Sequence, residues 1–123
     1  MVLAVSIEKT ALEKRKEFEM RYFNNALPGA LIPVGIIKKT TLTLEQAKAW
    51  LADIPELHLG HAQTCVFAEK DLGRKVTLDR ANLPPFHQGD AILVYQMYGK
   101  RVAEGVYELP EGTEYRFELY EFL

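Results

Sequence analysis

The stretch LHLGHAQTC, Leu57 to Cys65, concentrates the side chains of this sequence that most readily do chemistry. His58 and His61 lie three residues apart, Gly60 precedes the second, and Cys65, the sole cysteine, follows His61 by four. A zinc site would gather His58, His61, Cys65 and His87, but a strong ligand spacing such as paired C-x-x-C is absent from the sequence. A thiol with its base would use His61 and Cys65, which are neighbours if the segment is helical. Cys65, however, falls with Val66 and Leu72 among apolar positions, and buried thiols are usually inert. An anion site would use a helix opening at Gly60, whose first-turn amides have no intrahelical acceptor and point outward with the positive end of the helix dipole. His61 would then stand beside a bound phosphate, its imidazolium disfavoured by the dipole and favoured by the phosphate. A histidine that is structural at a helix start is the plain alternative, and His58 and His87, in loops, read as solvated.

A second set of candidates lies further on. In AILVYQMY, Gln96 shares a face with Ile92 and Val94 near the end of the run. A polar amide there must find partners, either in a neighbouring loop or in a pocket at the strand terminus, where α/β sheets tend to place ligands. Arg101 and Glu104 follow, three apart, ahead of Gly105. On a surface turn such a pair is a solvated ion pair. At a pocket mouth the planar guanidinium matches two oxygens of a phosphodiester.

These residues need elements to hold them. MRYFN reads as a short strand, stopped by Asn24-Asn25 and Pro28-Gly29. LIPVGIIKK is a second extended run, marked as an edge or bulged strand by Pro33 and Gly35. TLTLEQAKAWL is the clearest helix: Thr43 and Gln46 form a capping box, Leu44, Ala47 and Leu51 share a face, and Pro55 ends it. A second helix is expected from Gly60-His61 to about Asp71, stopped by Gly73. KVTLDRANL gives a short strand and turn, and AILVYQMY, apolar on both alternating faces, reads as a central strand covered on both sides. GKRVAEG turns the chain, VYEL and the turn PEG follow, and YRFEL alternates as a half-buried strand. The order predicts an α+β (α/β-like) single domain, a mixed sheet with helices packed on it. Residues 6–19 are the most polar stretch, with Thr10 and Glu13 as a capping box, so residues 1–19 read as a short solvated helix or arm ahead of a domain over 20–123.

Composition bounds the function. The 123 residues suffice for one core, and 48% hydrophobic with 26% charged residues is a globular balance. A net charge of -2 gives no bulk attraction to duplex DNA or an anionic membrane. One cysteine, no signal-like start and no membrane-length apolar run lead to the expectation of a cytoplasmic domain.

Taken together, LGHAQTC, LGRKVTLDR, GDAILVYQMYGKRVAEG and the earlier YFNNALPG and LTLEQAKAWL resemble the viral type III anti-CRISPR ring nuclease family, first catalogued as a domain of unknown function in archaeal viruses, phages and mobile elements. The likeness spans roughly Met20 to Tyr120 and is carried by the Gly-His-x-x-Thr element with the later Gln…Arg-x-x-Glu-Gly. It implies a homodimer that binds cyclic tetra-adenylate across its interface. It also implies metal-free cleavage, without a cofactor, into linear di-adenylate ending in a 2′,3′-cyclic phosphate. The family's catalytic His matches His61, and its pocket Gln, Arg and Glu look like Gln96, Arg101 and Glu104. The ligand-contacting loop matches Asn24, Asn25, Ala26, Leu27, Pro28 and Gly29; Gly60 opens the helix and Thr64 supports the site. This chain departs from the family pattern in one extra residue between Gln96 and Arg101, in Pro28 where a family member has Ser, and in its first twenty residues, which have no counterpart. A sponge that binds a cyclic nucleotide uncut, and an interaction protein with a structural His61, are the competing expectations.

Overall fold

The computed structural model describes residues 20–80 and 83–123. The expected N-terminal arm and its Thr10–Glu13 capping box lie outside the described residues. The rest is an α+β domain. A four-stranded mixed sheet is built from β1 (Arg21–Asn24), β2 (Ile37–Leu42), β5 (Ala91–Tyr98) and β6 (Glu114–Phe122), in the order β1-β5-β6-β2. β1 runs parallel to β5, while β6 is antiparallel to both β5 and β2. Two helices, α1 (Leu44–Leu51) and α2 (Ala62–Leu72), and a parallel pair, β3 (Leu57–Leu59) with β4 (Val76–Leu78), complete it.

The alternation of β5 sets the layering. Ala91, Leu93 and Tyr95 face a core shared with Ala47, Trp50 and Leu51 of α1 and Phe67, Ala68 and Leu72 of α2. Ile92 and Val94 face the opposite core, with Phe86 and Phe122. The strand is therefore buried on both sides, but both helices lie on one side; the other is covered by Leu27, Leu31, Ile32 and Leu83 from loops. Tyr95, fully buried, donates to Asp71 Oδ2 of α2 over 2.5 Å, and burial with that carboxylate pushes its phenol far up.

Local signals set the helix ends. Thr43 Oγ1 accepts from Gln46 N and Gln46 Oε1 accepts from Thr43 N, a reciprocal capping box. Ala47 and Leu51 are buried with Trp50, whereas Leu44 remains partly exposed because it sits on the first turn at the rim of the core. Arg74, just past α2, donates to the carbonyls of Leu51, Ile54 and Pro55 and so satisfies the open end of α1. Arg21 ties β1 to the same helix through Trp50 O and a 2.7 Å pair with Asp53.

Two segments differ from the sequence expectation. The run from Leu31 to Lys39 is not one strand: a 3₁₀ turn at Gly29–Leu31 comes first, and β2 starts only at Ile37. Pro33 offers no N–H, and Gly35 adopts φ +148°, so pairing begins beyond both. β2 is an edge strand, as Pro33 and Gly35 imply. β3, unforeseen, is three residues long, too short for alternation to register, and its buried Leu57 and Leu59 tie it to the helix-side core.

Removing the Thr43 hydroxyl in Thr43→Ala leaves Gln46 N unsatisfied. A loss of ~1 kcal/mol in unfolding free energy, with an unchanged denaturant slope, is expected in a urea titration.

Candidate functional site

The carboxyl ends of the strands converge. Asn24 ends β1 and Asn25 follows it, Gly60 and His61 follow β3, Asp79 and Arg80 follow β4, and Gln96 lies near the end of β5. Strand carboxyl ends that empty into one crevice are where open sheets bind ligands. Three adjoining clefts occupy this edge, and His61 lines all of them.

The largest of the three, about 730 Å³, is lined by Asn25, His61, Thr64, Gln96, Arg101 and Glu104, six residues that the sequence analysis singled out. Tyr95, Gln63, Met97 and Val102 fill in its walls. A second of about 680 Å³ runs past Gly60, Arg80, Glu104 and Tyr107. The third, about 370 Å³, joins Asn24 and Asn25 to His58, Gly60 and Arg80.

The expected helix start shifts by one residue. His61, not Gly60, is the N-cap of α2, extended at φ −137° and ψ 123°, and its carbonyl accepts from Cys65 N at 3.0 Å. Its imidazole makes no capping hydrogen bond, and the first turn carries no acidic residue. The amides of Ala62, Gln63 and Thr64 therefore keep the open character of a helix start, with the dipole uncompensated by a carboxylate on that turn. Gly60 precedes the cap, where a Cβ would come within 3.1 Å of Arg80 Cγ, a tight contact with the side chain that passes the β3–α2 junction.

Arg101 and Glu104 sit on the loop between β5 and β6, and they form no ion pair with each other or with any other described residue, so the solvated-pair reading does not hold. The side chain that places them is Gln63, which sequence reasoning missed. From the first turn of α2, its Nε2 donates to Ala103 O at 2.8 Å and Val106 O at 2.5 Å. Val102, buried, adds an apolar anchor beside it. The base of the loop is pinched by Thr113, whose Oγ1 accepts from Lys100 N and donates to Lys100 O. Gly99, at φ +109°, would place a Cβ 2.2 Å from Gly112 O, so only glycine fits this neck. The signal for Gln63 was present in its position: a long amide two residues after His61, next to Thr64 and Cys65, on the buried side of the helix.

The β1 loop contributes unevenly. Asn25 lines the largest cleft and Asn24 the smallest, while Asn24 Nδ2 donates to Ala26 O at 2.9 Å and holds the loop's shape. Leu27 packs into the second core, and Pro28 O accepts from Leu31 N to open the 3₁₀ turn. Ala26 is exposed, and none of Ala26, Leu27 and Pro28 lines these three clefts.

The other two chemistries of the opening stretch can be placed as well. Cys65 is buried, its Sγ directed to Leu59 O at 3.5 Å, and burial pushes its thiol up, away from the reactive thiolate. Among the described residues, no group of three His, Cys, Asp or Glu side chains is placed to hold a metal ion, and no helix is long and apolar enough to cross a membrane. No protein-family model matches the chain, and no curated protein gives a significant match.

Two outcomes follow from this geometry. Gln63→Leu removes the donor of the Val106 carbonyl and leaves Ala103 O with the Val106 N–H alone; a stability loss of about 1–3 kcal/mol and faster hydrogen exchange confined to the loop near Ala103 to Val106 are expected. Iodoacetamide at neutral pH should leave Cys65 unmodified in the native protein and label it promptly in denaturant; native labelling at the rate of a free thiol would show the thiol to be accessible.

Proposed function

We propose that this chain is a metal-independent ring nuclease that binds cyclic tetra-adenylate and cleaves it to linear di-adenylate with 2′,3′-cyclic phosphate ends, so silencing type III CRISPR signalling in the cytoplasm where that messenger acts. The observation that carries the reading is the convergence of His61, Gln96, Arg101 and Glu104 on one cleft at the open start of α2. His61 comes from a segment far in sequence from the stretch that carries Gln96, Arg101 and Glu104, and the sequence resemblance had already joined the two.

The chemistry assigns them roles. The ribose 2′-OH attacks its own adjacent phosphorus, the P–O5′ bond breaks, and a proton must reach the departing 5′ oxygen. Holding the hydroxyl in line with that bond supplies the positional part of the rate. Arg101, free of any carboxylate partner among the described residues, and the first-turn amides of α2 face the growing charge on the phosphorane oxygens. His61, at the junction of all three clefts, gives the proton to the leaving oxygen. Gln96 contacts the ligand from the end of β5, and Glu104 either orients Arg101 or draws on the hydroxyl. A ring with repeating symmetry suits a homodimer, in which an isologous interface presents each of these residues twice.

Incubation of the protein with cyclic tetra-adenylate in excess chelator tests the reading. Linear di-adenylate is expected, with one ring bound per two chains. His61→Ala should slow cleavage by about 10²–10⁴-fold while retaining the ligand. Recovery of the intact ring from heat-denatured complex would make the protein a sponge instead. Absence of binding, with a native spectrum, would leave His61 a structural residue.

A further inference from the structure

The proposed function accounts for phosphate and ribose but assigns no place to a base. Resting on that reading, we propose that the cleft between the end of β4 and the β5–β6 loop is a nucleobase subsite. In it, a base carrying an exocyclic amine stacks on Tyr107 and donates that amine to Asp79.

Four observations converge. The cleft, about 680 Å³, shares His61 with the largest cleft, so a nucleotide whose phosphate meets α2 can extend its base here. Two apolar side chains at its rim are exposed: Tyr107 at 49% and Leu78 at 56%. Tyr107 makes no ring contact and no hydrogen bond with any other described residue, whereas the rings of Tyr95 and Tyr115, and of Phe86 and Phe122, are stacked on each other. An aromatic face left bare at a concave, mixed-polarity surface is a stacking platform, and every base has a π-face to offer it. Arg80 also lines the cleft, its Nε directed to Gly60 O at 3.5 Å and its stem passing close to Gly60, which has no side chain in the way. Its planar guanidinium provides a second stacking surface.

Asp79 supplies the polar recognition. Its main chain is fixed by a 3.0 Å bond from its N–H to Leu59 O, continuing the β3–β4 ladder. Asp79 lines the cleft, and its carboxylate has no hydrogen-bond or ion-pair partner among the described residues. A carboxylate is acceptor-only when ionised, so it matches an amine donor and has nothing to offer a base edge made only of acceptors. The loop that carries Tyr107 is positioned by Gln63 through the adjacent Val106 carbonyl, so the platform and the phosphate side are held by the same helix turn.

The test titrates the isotopically labelled full chain, followed by amide NMR, with three probes: ribose 5-phosphate, adenosine 5′-monophosphate, and purine riboside 5′-monophosphate, which lacks the amine. Ribose 5-phosphate should move the amides of Ala62, Gln63 and Thr64. Adenosine monophosphate should add shifts at Leu78, Asp79 and Tyr107 and bind about 5- to 100-fold tighter. Purine riboside monophosphate should fall between the two. Tyr107→Ala should bring adenosine monophosphate down to the affinity of ribose 5-phosphate, Tyr107→Phe should keep the gain, and Asp79→Ala, which removes the acceptor, should erase the preference for the amine. If ribose 5-phosphate moves the α2 amides and the three probes bind alike, the base subsite is overturned and the phosphate reading stands. If ribose 5-phosphate leaves those amides unmoved in a native spectrum, the phosphate reading fails first.

Discussion

The clamp between Gln63 and the carbonyls of Ala103 and Val106 is the contact on which the site depends. Apart from the first turn of α2, the other walls of the crevice are products of sheet pairing: β1, β3, β4 and β5 end where they end because their registers place them there. Arg101, Glu104 and Tyr107 belong to a long surface connection that has no ladder of its own, and nearly all of its residues are exposed. A connection of that kind explores many conformations unless something fixes it, and ordering each residue costs about 1–2 kcal/mol. One buried amide, donating twice, with Val102 packed beside it, converts that freedom into a fixed rim. The helix that presents His61 therefore also sets where the two charged loop residues stand.

The electrostatics of the crevice follow from the same arrangement. Arg80 and Arg101 bring positive charge to a rim that also holds Asp79 and Glu104, and no described salt bridge joins these four. Elsewhere the chain does pair its charges, as in Arg21 with Asp53 and Arg116 with Glu114. Side chains of opposite sign left apart around a concave surface keep their hydrogen-bonding capacity for something else. The open turn of α2 adds a fixed partial charge of the sign that anions seek.

Much of the scaffold was legible because it is written locally. Thr43 with Gln46, Gly73 after α2, and the two-faced apolar run of β5 each declare their structure within a few residues, and each is found as read. β3 was not legible, since three residues carry no period. The placement of both helices on one face was not legible either, because β5 reads the same whether helices or loops cover its second side. Of the site, the Gly60–Thr64 element, Gln96, Arg101 and Glu104 were visible as residue types with an unusual spacing, and they do share the crevice. Leu27 packs against the second core, and a loop position adjacent to a site and a loop position filling a core look alike in sequence. Arg80 and Tyr107 depend on which strand end and which loop meet in space, information that only the fold supplies, and Gln63, though its place on the helix was legible, has partners that only the fold reveals.

The neck at Gly99, Lys100, Gly112 and Thr113 has a consequence for how such a molecule changes over generations. It seals the sheet side of the connection, and Gln63 seals the helix side, so the segment between them is mechanically isolated from β5 and β6. Residues inserted, deleted or exchanged at the exposed positions of that interval leave strand register untouched and keep the Val102 anchor in place. The rim is thus a variable segment on a fixed base, and a change beyond the neck alters what the crevice admits without asking anything of the sheet.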